Sequence, residues 1–207
     1  MNMIIETIED RFMGENTYLL GDESSGKCAI IDPGATLNDI LSRVRNRNFT
    51  VEYIILTHGH ADHIGTVKKL KEETNAKIVA HENERELLID RKKNLSVRFP
   101  CGPQEFEAAV YVKDKDKLAI GDLKVTFIHT PGHTPGGMCV KVGNHMFTGD
   151  TLFAGSIGRT DFYGGDFKQM NKSLSKLANQ DENIIIYPGH GPTSTIGKEK
   201  RMNPYMG

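Results

Sequence analysis

Leu56-Thr57-His58-Gly59-His60-Ala61-Asp62-His63 puts four ionisable side chains into six consecutive positions. The run follows Tyr53-Ile54-Ile55-Leu56, an apolar stretch that reads as a buried strand. It leads into 62–74, where Ile64, Val67 and Leu70 repeat at helical spacing and predict one helix facing inward. His58 and His60, two positions apart, share one face of an extended turn. Asp62 and His63 fall at the helix start and point to a neighbouring position. Gly59 and Ala61 leave room for a tight bend. One strand-to-helix turn thus offers ligands to two adjacent ions.

Three further stretches repeat the same local grammar. His133 lies in Thr130-Pro131-Gly132-His133-Thr134-Pro135-Gly136-Gly137, Asp150 in Phe147-Thr148-Gly149-Asp150, and His190 in Tyr187-Pro188-Gly189-His190-Gly191. Each sets an ionisable group beside glycine at the carboxyl end of an apolar strand, where ligand sites of α/β sheets gather. A lone histidine is more often a surface or hydrogen-bonded core residue. Seven candidates from four strand ends are improbable as independent structural residues. Gly149 and Gly189 suit close packing at a crowded centre. His81, His129 and His145 lack this setting and read as structural, with His129 the one placed to support the site.

Around these stretches, short Ile/Val-rich runs alternate with amphipathic ones. Residues 3–9, 17–21 and 27–32 predict three consecutive antiparallel strands. Residues 36–47 predict a helix with Leu37, Ile40, Leu41 and Val44 as its apolar stripe. A strand over 77–80 and a helix over 81–90 follow. Residues 91–106 show no periodicity and hold Pro100, Gly102 and Pro103, which reads as a long surface loop of the kind that forms lids or site edges. Strands are predicted at 118–120 and 124–129, and a hairpin over 138–147 around Gly143-Asn144. A helix over 166–179, a buried strand over 184–187 and a short helix before Pro204 complete the order. This pattern predicts two mixed sheets packed together with helices outside, in a single domain spanning 1–207.

Composition excludes several classes. A net charge of −1 with interleaved acids and bases carries no nucleic-acid footprint. No apolar run reaches the about 20 residues needed to span a bilayer. The start, Met1-Asn2-Met3-Ile4-Ile5-Glu6, has no basic region or long apolar stretch, so a cytoplasmic location is expected. Three dispersed cysteines argue against a disulfide framework. Cys28 and Cys139 read as core residues of a reducing compartment. Cys101 sits in a Pro100-Cys101-Gly102-Pro103 turn without a nearby base.

His58, His60, Asp62 and His63 match the H-x-H-x-D-H motif of the metallo-β-lactamase superfamily, and His133, Asp150 and His190 match its downstream ligands. The resemblance runs roughly from Tyr18 to His190 and implies the superfamily's αββα sandwich, an α/β fold. It also implies that His58, His60 and His133 hold one divalent ion, that Asp62, His63 and His190 hold a second, and that Asp150 bridges them. Imidazole and carboxylate suit zinc, with iron or manganese as alternatives. Two ions about 3.5–4 Å apart hold a shared water as hydroxide at neutral pH, a nucleophile for a carbonyl carbon. No serine or cysteine nucleophile is needed, and Asp62 and Asp150 are the catalytic acids.

Within the superfamily, the chain lacks the cysteine usual near the second ion of two-ion zinc β-lactamases. It has His60 where flavin-linked di-iron proteins carry Glu, and no room for the inserted domains of RNA-processing members. Gly149-Asp150-Thr151-Leu152-Phe153-Ala154-Gly155-Ser156-Ile157-Gly158-Arg159 and Tyr187-Pro188-Gly189-His190-Gly191-Pro192-Thr193 resemble glyoxalase II, the hydroxyacylglutathione hydrolases, in short bacterial form. The stretch Thr195 to Pro204 resembles them too. The C-terminal helical domain that holds glutathione in larger members is missing. This implies a thioesterase acting on small S-acyl thiols such as S-2-hydroxyacylglutathione. Gly158-Arg159-Thr160-Asp161-Phe162 also resembles persulfide dioxygenase, in which His58, His133 and Asp150 alone hold one iron. A metal-binding scaffold without turnover is the third reading. Arg159 either binds a substrate carboxylate or pairs with Asp161 or Asp166. Tyr163 and the loop from Phe99 to Phe106 are candidates for the pocket wall, whereas Lys198 and Lys200 read as a solvated face.

Overall fold

A computed structural model describes residues 3–206. One mixed sheet contains β1 (Met3–Glu9), β2 (Asn16–Asp22), β3 (Lys27–Ile31), β4 (Thr50–Ile55), β5 (Lys77–His81) and β6 (Val110–Val112), in that order. The first three strands pair antiparallel and the last three join in parallel. The second sheet is built from β7 (Lys117–Ile120), β8 (Leu123–His129), β9 (Met138–Val142) and β10 (His145–Gly149). After a small hairpin of β11 (Leu152–Phe153) and β12 (Ser156–Ile157), β13 (Ile185–Pro188) and β14 (Ser194–Thr195) extend it, giving the order β14-β13-β10-β9-β8-β7. Only the β10–β13 pairing is parallel.

The apolar runs are continuous because both faces of each sheet are covered. Successive side chains alternate between faces. Tyr18, Leu20, Ala29, Ile31, Ile55 and Val79 meet Val125, Phe127, Val140 and Phe147 between the sheets. Their neighbours Leu19, Cys28, Ile30, Ile54 and Ile78 point the other way, onto Ile40, Val44, Val67 and Leu70. On the far side, Ile128, Cys139, Met146 and Ile186 pack on Met170, Leu174 and Leu177. The result is the expected sandwich with helices on both outer faces.

Helix α1 (Leu37–Asn46) is capped by Thr36, whose side chain accepts the Asp39 N–H. Helix α5 (Phe167–Ala178) is capped likewise by Asp166; a later helix, α6 (Ile196–Met202), ends before Pro204.

Two predicted helices are broken. The one expected over 62–74 is α2 (Ala61–Ile64) and α3 (Val67–Thr74). At the break, Thr66 donates its N–H to Pro33 O and its hydroxyl to Ala35 O, tying the turn to the loop after β3. The one expected over 81–90 is a 3₁₀ turn, Glu82–Glu84, followed by α4 (Arg85–Leu88). There, the His81 ring accepts the Asn83 N–H, and Glu84 turns inward rather than staying on a helical surface. Periodicity also passed over β6, β11, β12 and β14, which are only two or three residues long. The loop 91–106 carries a 3₁₀ turn at Ser96–Arg98, and buried Asn94 anchors it by donating to Leu87 O and Gln104 O.

Candidate metal centre

All seven residues singled out by sequence meet at one edge of the sandwich. The turn between β4 and α2 delivers His58, His60, Asp62 and His63. The loop between β8 and β9 delivers His133, and the ends of β10 and β13 deliver Asp150 and His190. His58, His60 and His133 bring potential ligand atoms within 4.8 Å of one another, as do Asp62, His63 and His190. Asp150 lies between the two groups. Its Oδ1 is 3.3 Å from His63 Nε2, and its Oδ2 is 3.5 Å from His133 Nε2 and 3.8 Å from His190 Nε2. Crowding here needs two glycines. A Cβ on Gly189 would overlap Asp150 and His63, and one on Gly149, where φ is +46°, would overlap Thr57.

The outward nitrogens are held by the protein. His63 Nδ1 bonds Asp32 at 3.1 Å, His133 Nδ1 bonds Arg159 O at 2.6 Å and His190 Nδ1 bonds Gly14 O at 3.2 Å. Such partners fix ring orientation and tautomer, leaving Nε2 to face the centre. His60 Nδ1 and His133 Nε2 approach to 2.8 Å, two ring nitrogens aimed at one point. His58 Nε2, His63 Nε2 and Asp150 Oδ1 are buried without a well-directed hydrogen bond. Buried polar atoms are rarely left so, and imidazole with carboxylate is a donor set that fits a divalent transition ion.

Electrostatics follow from the same geometry. Burial, reinforced by the neighbouring rings, holds His58 well below the ordinary histidine value, and burial beside His133 brings His60 down to about 3. Burial also opposes a charge on His63, but Asp150 and Asp62 outweigh it and hold the ring well above the ordinary value. Burial would raise Asp62 and Asp150, yet His63 and the neighbouring histidines hold both below it. The geometry therefore favours the ionised form of both carboxylates and the protonated form of His63 in the ion-free protein. An ion that takes His63 Nε2 must expel a proton. Affinity should then fall as pH drops and keep rising above the ordinary histidine range. Calorimetric titration with Zn²⁺ in two buffers of different ionisation enthalpy should register proton release; equal heats in both would contradict it.

Two supporting carboxylates escaped the sequence reading. Asp32 accepts the Thr57 N–H at 2.7 Å and the Thr57 hydroxyl, besides His63. Its context, Ile30-Ile31-Asp32-Pro33-Gly34, follows the same strand-then-glycine grammar as His133 and His190, so the signal was present. Glu84 is wholly buried, and burial pushes it up to about 7 against the pull of three donors. Those donors are Gly59 N–H at 2.7 Å, Gly136 N–H at 2.8 Å and the Thr134 hydroxyl at 3.0 Å. It joins the turn of His58 and His60 to the loop of His133. Nothing in its local sequence marks it.

The other predicted residues lie at the periphery. Arg159 makes a two-pronged pair with Asp161, at 2.6 and 2.7 Å, and stacks over Phe162, which abuts His60. Tyr163 donates to Glu86 and is partly exposed. His81 and His129 stack on each other at 3.9 Å, and His145 bonds the Tyr187 hydroxyl, all apart from the seven. Cys28 and Cys139 are buried core residues, whereas Cys101 is half-buried.

A two-sheet sandwich with imidazole and carboxylate groups gathered at one edge is the architecture of the metallo-hydrolase superfamily. The chain belongs to the metallo-beta-lactamase superfamily, which residues 10–190 match. Among its relatives, hydroxyacylglutathione hydrolase GloC of Haemophilus influenzae is 34% identical, over 99% of this chain and 98% of that one. The probable metallo-hydrolase YqgX of Bacillus subtilis is 33% identical over 92% of each. Similar solved structures include BLEG-1 B3 metallo-beta-lactamase, at TM-score 0.90 and 32% identity over 98% of this chain and 99% of that one. ETHE1 from Myxococcus xanthus superposes at TM-score 0.81 with 31% identity, over 98% and 84%. TTHA1623, in a di-iron-bound form, does so at 0.83 with 30% identity, over 97% and 99%. Among the described residues, no helix is long and apolar enough to cross a membrane.

Proposed function

We propose that this chain is a thioesterase of glyoxalase II type, hydrolysing S-acyl thiols of small carriers. The observation that carries the reading is Asp150 between two three-ligand groups. In this reading His58, His60 and His133 hold one divalent ion, Asp62, His63 and His190 hold a second, and Asp150 serves both. Zinc is the preferred metal, with iron or manganese as alternatives. Such ions, when bound, supply Lewis acidity and an activated water at neutral pH. Asp62 is 3.4 Å from His190 Nε2 and is open enough to solvent to orient that water by a hydrogen bond. Water adds to the carbonyl carbon, the C–S bond breaks, and a carboxylic acid and a thiol leave. Arg159, with one edge of its guanidinium on Asp161, directs its remaining donors to a carboxylate of the thiol carrier. Tyr163 lines the same side. The similarity to GloC supports the substrate class.

A second reading, a mononuclear iron persulfide dioxygenase using His58, His133 and Asp150, is favoured by the similarity to ETHE1. Metal analysis with parallel assays on S-lactoylglutathione and glutathione persulfide separates the two. Two metal equivalents with hydrolysis are expected. One iron with oxygen uptake would reverse the assignment. A β-lactam assay belongs beside them because of the similarity to BLEG-1, and no turnover of any substrate by metal-loaded protein would leave the scaffold reading.

A further inference from the structure

Beside the metal centre lies a cavity of about 300 Å³ that no step above uses. It opens next to Asp62 and is floored by Ala61 and Gly65. Its walls are more apolar than polar, with Asp10 and Lys69 the charged groups besides Asp62, and the apolar members come from three separate segments. Phe12 and Met13 stand on the β1–β2 turn, Leu37 begins α1, and Phe99 and Cys101 belong to the long loop 91–106. Phe12 is 73% exposed and Met13 41%, so both are free to cover an apolar ligand.

The backbone holds these groups in place. Asp10 accepts the N–H groups of Phe12 and Met13 at 3.2 and 2.7 Å, and Gly14 N–H bonds Asp10 O at 2.8 Å. The same Gly14 carries the carbonyl that meets His190. The turn presenting the apolar wall is therefore directly tied to the candidate metal centre. Cys101 packs beside Gly65, so the loop 91–106 closes the opposite wall.

We propose that this cavity receives the acyl arm of the substrate and that the arm is an apolar chain of medium length. The proposal rests on the thioesterase reading. Arg159 and Phe162 lie on the His60–His133 side, whereas the cavity adjoins Asp62 and the Gly14–His190 contact. A thioester with its carbonyl at the centre thus sends its two arms to opposite sides. The side with the arginine suits a charged thiol carrier, and the apolar side suits a hydrocarbon chain. The volume holds roughly ten groups of water size, at about 30 Å³ each. Each methylene buried there favours the longer substrate by roughly three- to fourfold.

Steady-state kinetics with S-acetylglutathione and S-octanoylglutathione test this, alongside alkylation of Cys101. That thiol is half-buried in the cavity wall, while Cys28 and Cys139 are buried in the core, so iodoacetamide in the folded protein reports on occupancy there. We expect kcat/KM for the octanoyl ester to exceed that for the acetyl ester at least tenfold. Phe12→Ser, which alters an exposed turn side chain outside the core, should cut the ratio at least threefold. Octanoate, but not acetate, should slow Cys101 alkylation. If the acetyl ester is cleaved, a ratio near one overturns the acyl pocket and leaves the thioesterase reading standing. If neither ester is cleaved, the thioesterase reading fails; a cavity that octanoate then leaves unprotected also overturns the proposed binding of an apolar chain, while protection upholds it.

Discussion

Alanine in place of Asp150 is expected to lower kcat/KM for an S-acyl thioester at least a thousandfold while the chain still folds. Asp150 stands at the end of β10, outside the apolar layers, and its oxygens face His63, His133 and His190 at 3.3 to 3.8 Å. Its Oδ2 alone meets His133 of one three-ligand group at 3.5 Å and His190 of the other at 3.8 Å. Its loss removes the negative charge shared between those groups and the strongest opposing charge beside the His63 ring. A thousandfold corresponds to about 4 kcal/mol of transition-state stabilisation. Asn at this position keeps the shape and loses the charge, so it should fail almost as badly. The check is kinetics on purified variants, with metal analysis and circular dichroism. A folded Asp150→Ala protein within tenfold of the parent would remove this residue from the mechanism.

Glu84→Ala should act on stability instead. The substitution strands two buried backbone N–H groups and one hydroxyl that now share a single carboxylate. Each buried donor left without a partner costs about 1–3 kcal/mol, though relaxation and water entry reduce the sum. We expect a net loss of about 3–5 kcal/mol, a drop in Tm of about 10 °C for a chain of this size. Thermal unfolding of the ion-free protein measures it. Because Gly59 sits between His58 and His60, and Thr134 follows His133, metal affinity should weaken as well. Gln is a poor rescue, since its amide offers one acceptor oxygen where two are used. A Tm within 2 °C of the parent for Glu84→Ala would show that the clamp is not needed to hold the two loops.

Much of this was legible along the chain because the information is local. Both faces of the strands are buried, so 28–31, 53–56, 77–80 and 184–187 read as apolar runs. The candidate ligands sit where those runs end in glycine, since a crowded centre admits no Cβ at Gly149 or Gly189. Thr36 and Asp166 mark helix starts through their own side chains. These features depend on neighbours a few residues away, and sequence by itself determined the sandwich and the seven residues at its edge.

What only the tertiary structure decided involves partners far apart in the chain. Asp32 meets Thr57, 25 residues on, and Glu84 meets Gly136, 52 residues on. Periodicity over 62–74 reads as one helix because it cannot register that Thr66 bonds Pro33 and Ala35 across the turn. The pairing of Arg159 with Asp161 rather than Asp166 is set by the loop geometry. Phe12, Met13, Phe99 and Cys101 belong to no shared motif and form a cavity wall only after β1–β2 and the long loop fold over α2. Local patterns record which residues an element buries. Which groups face one another across the centre depends on how the sheets stack, and that is a property of the assembled fold.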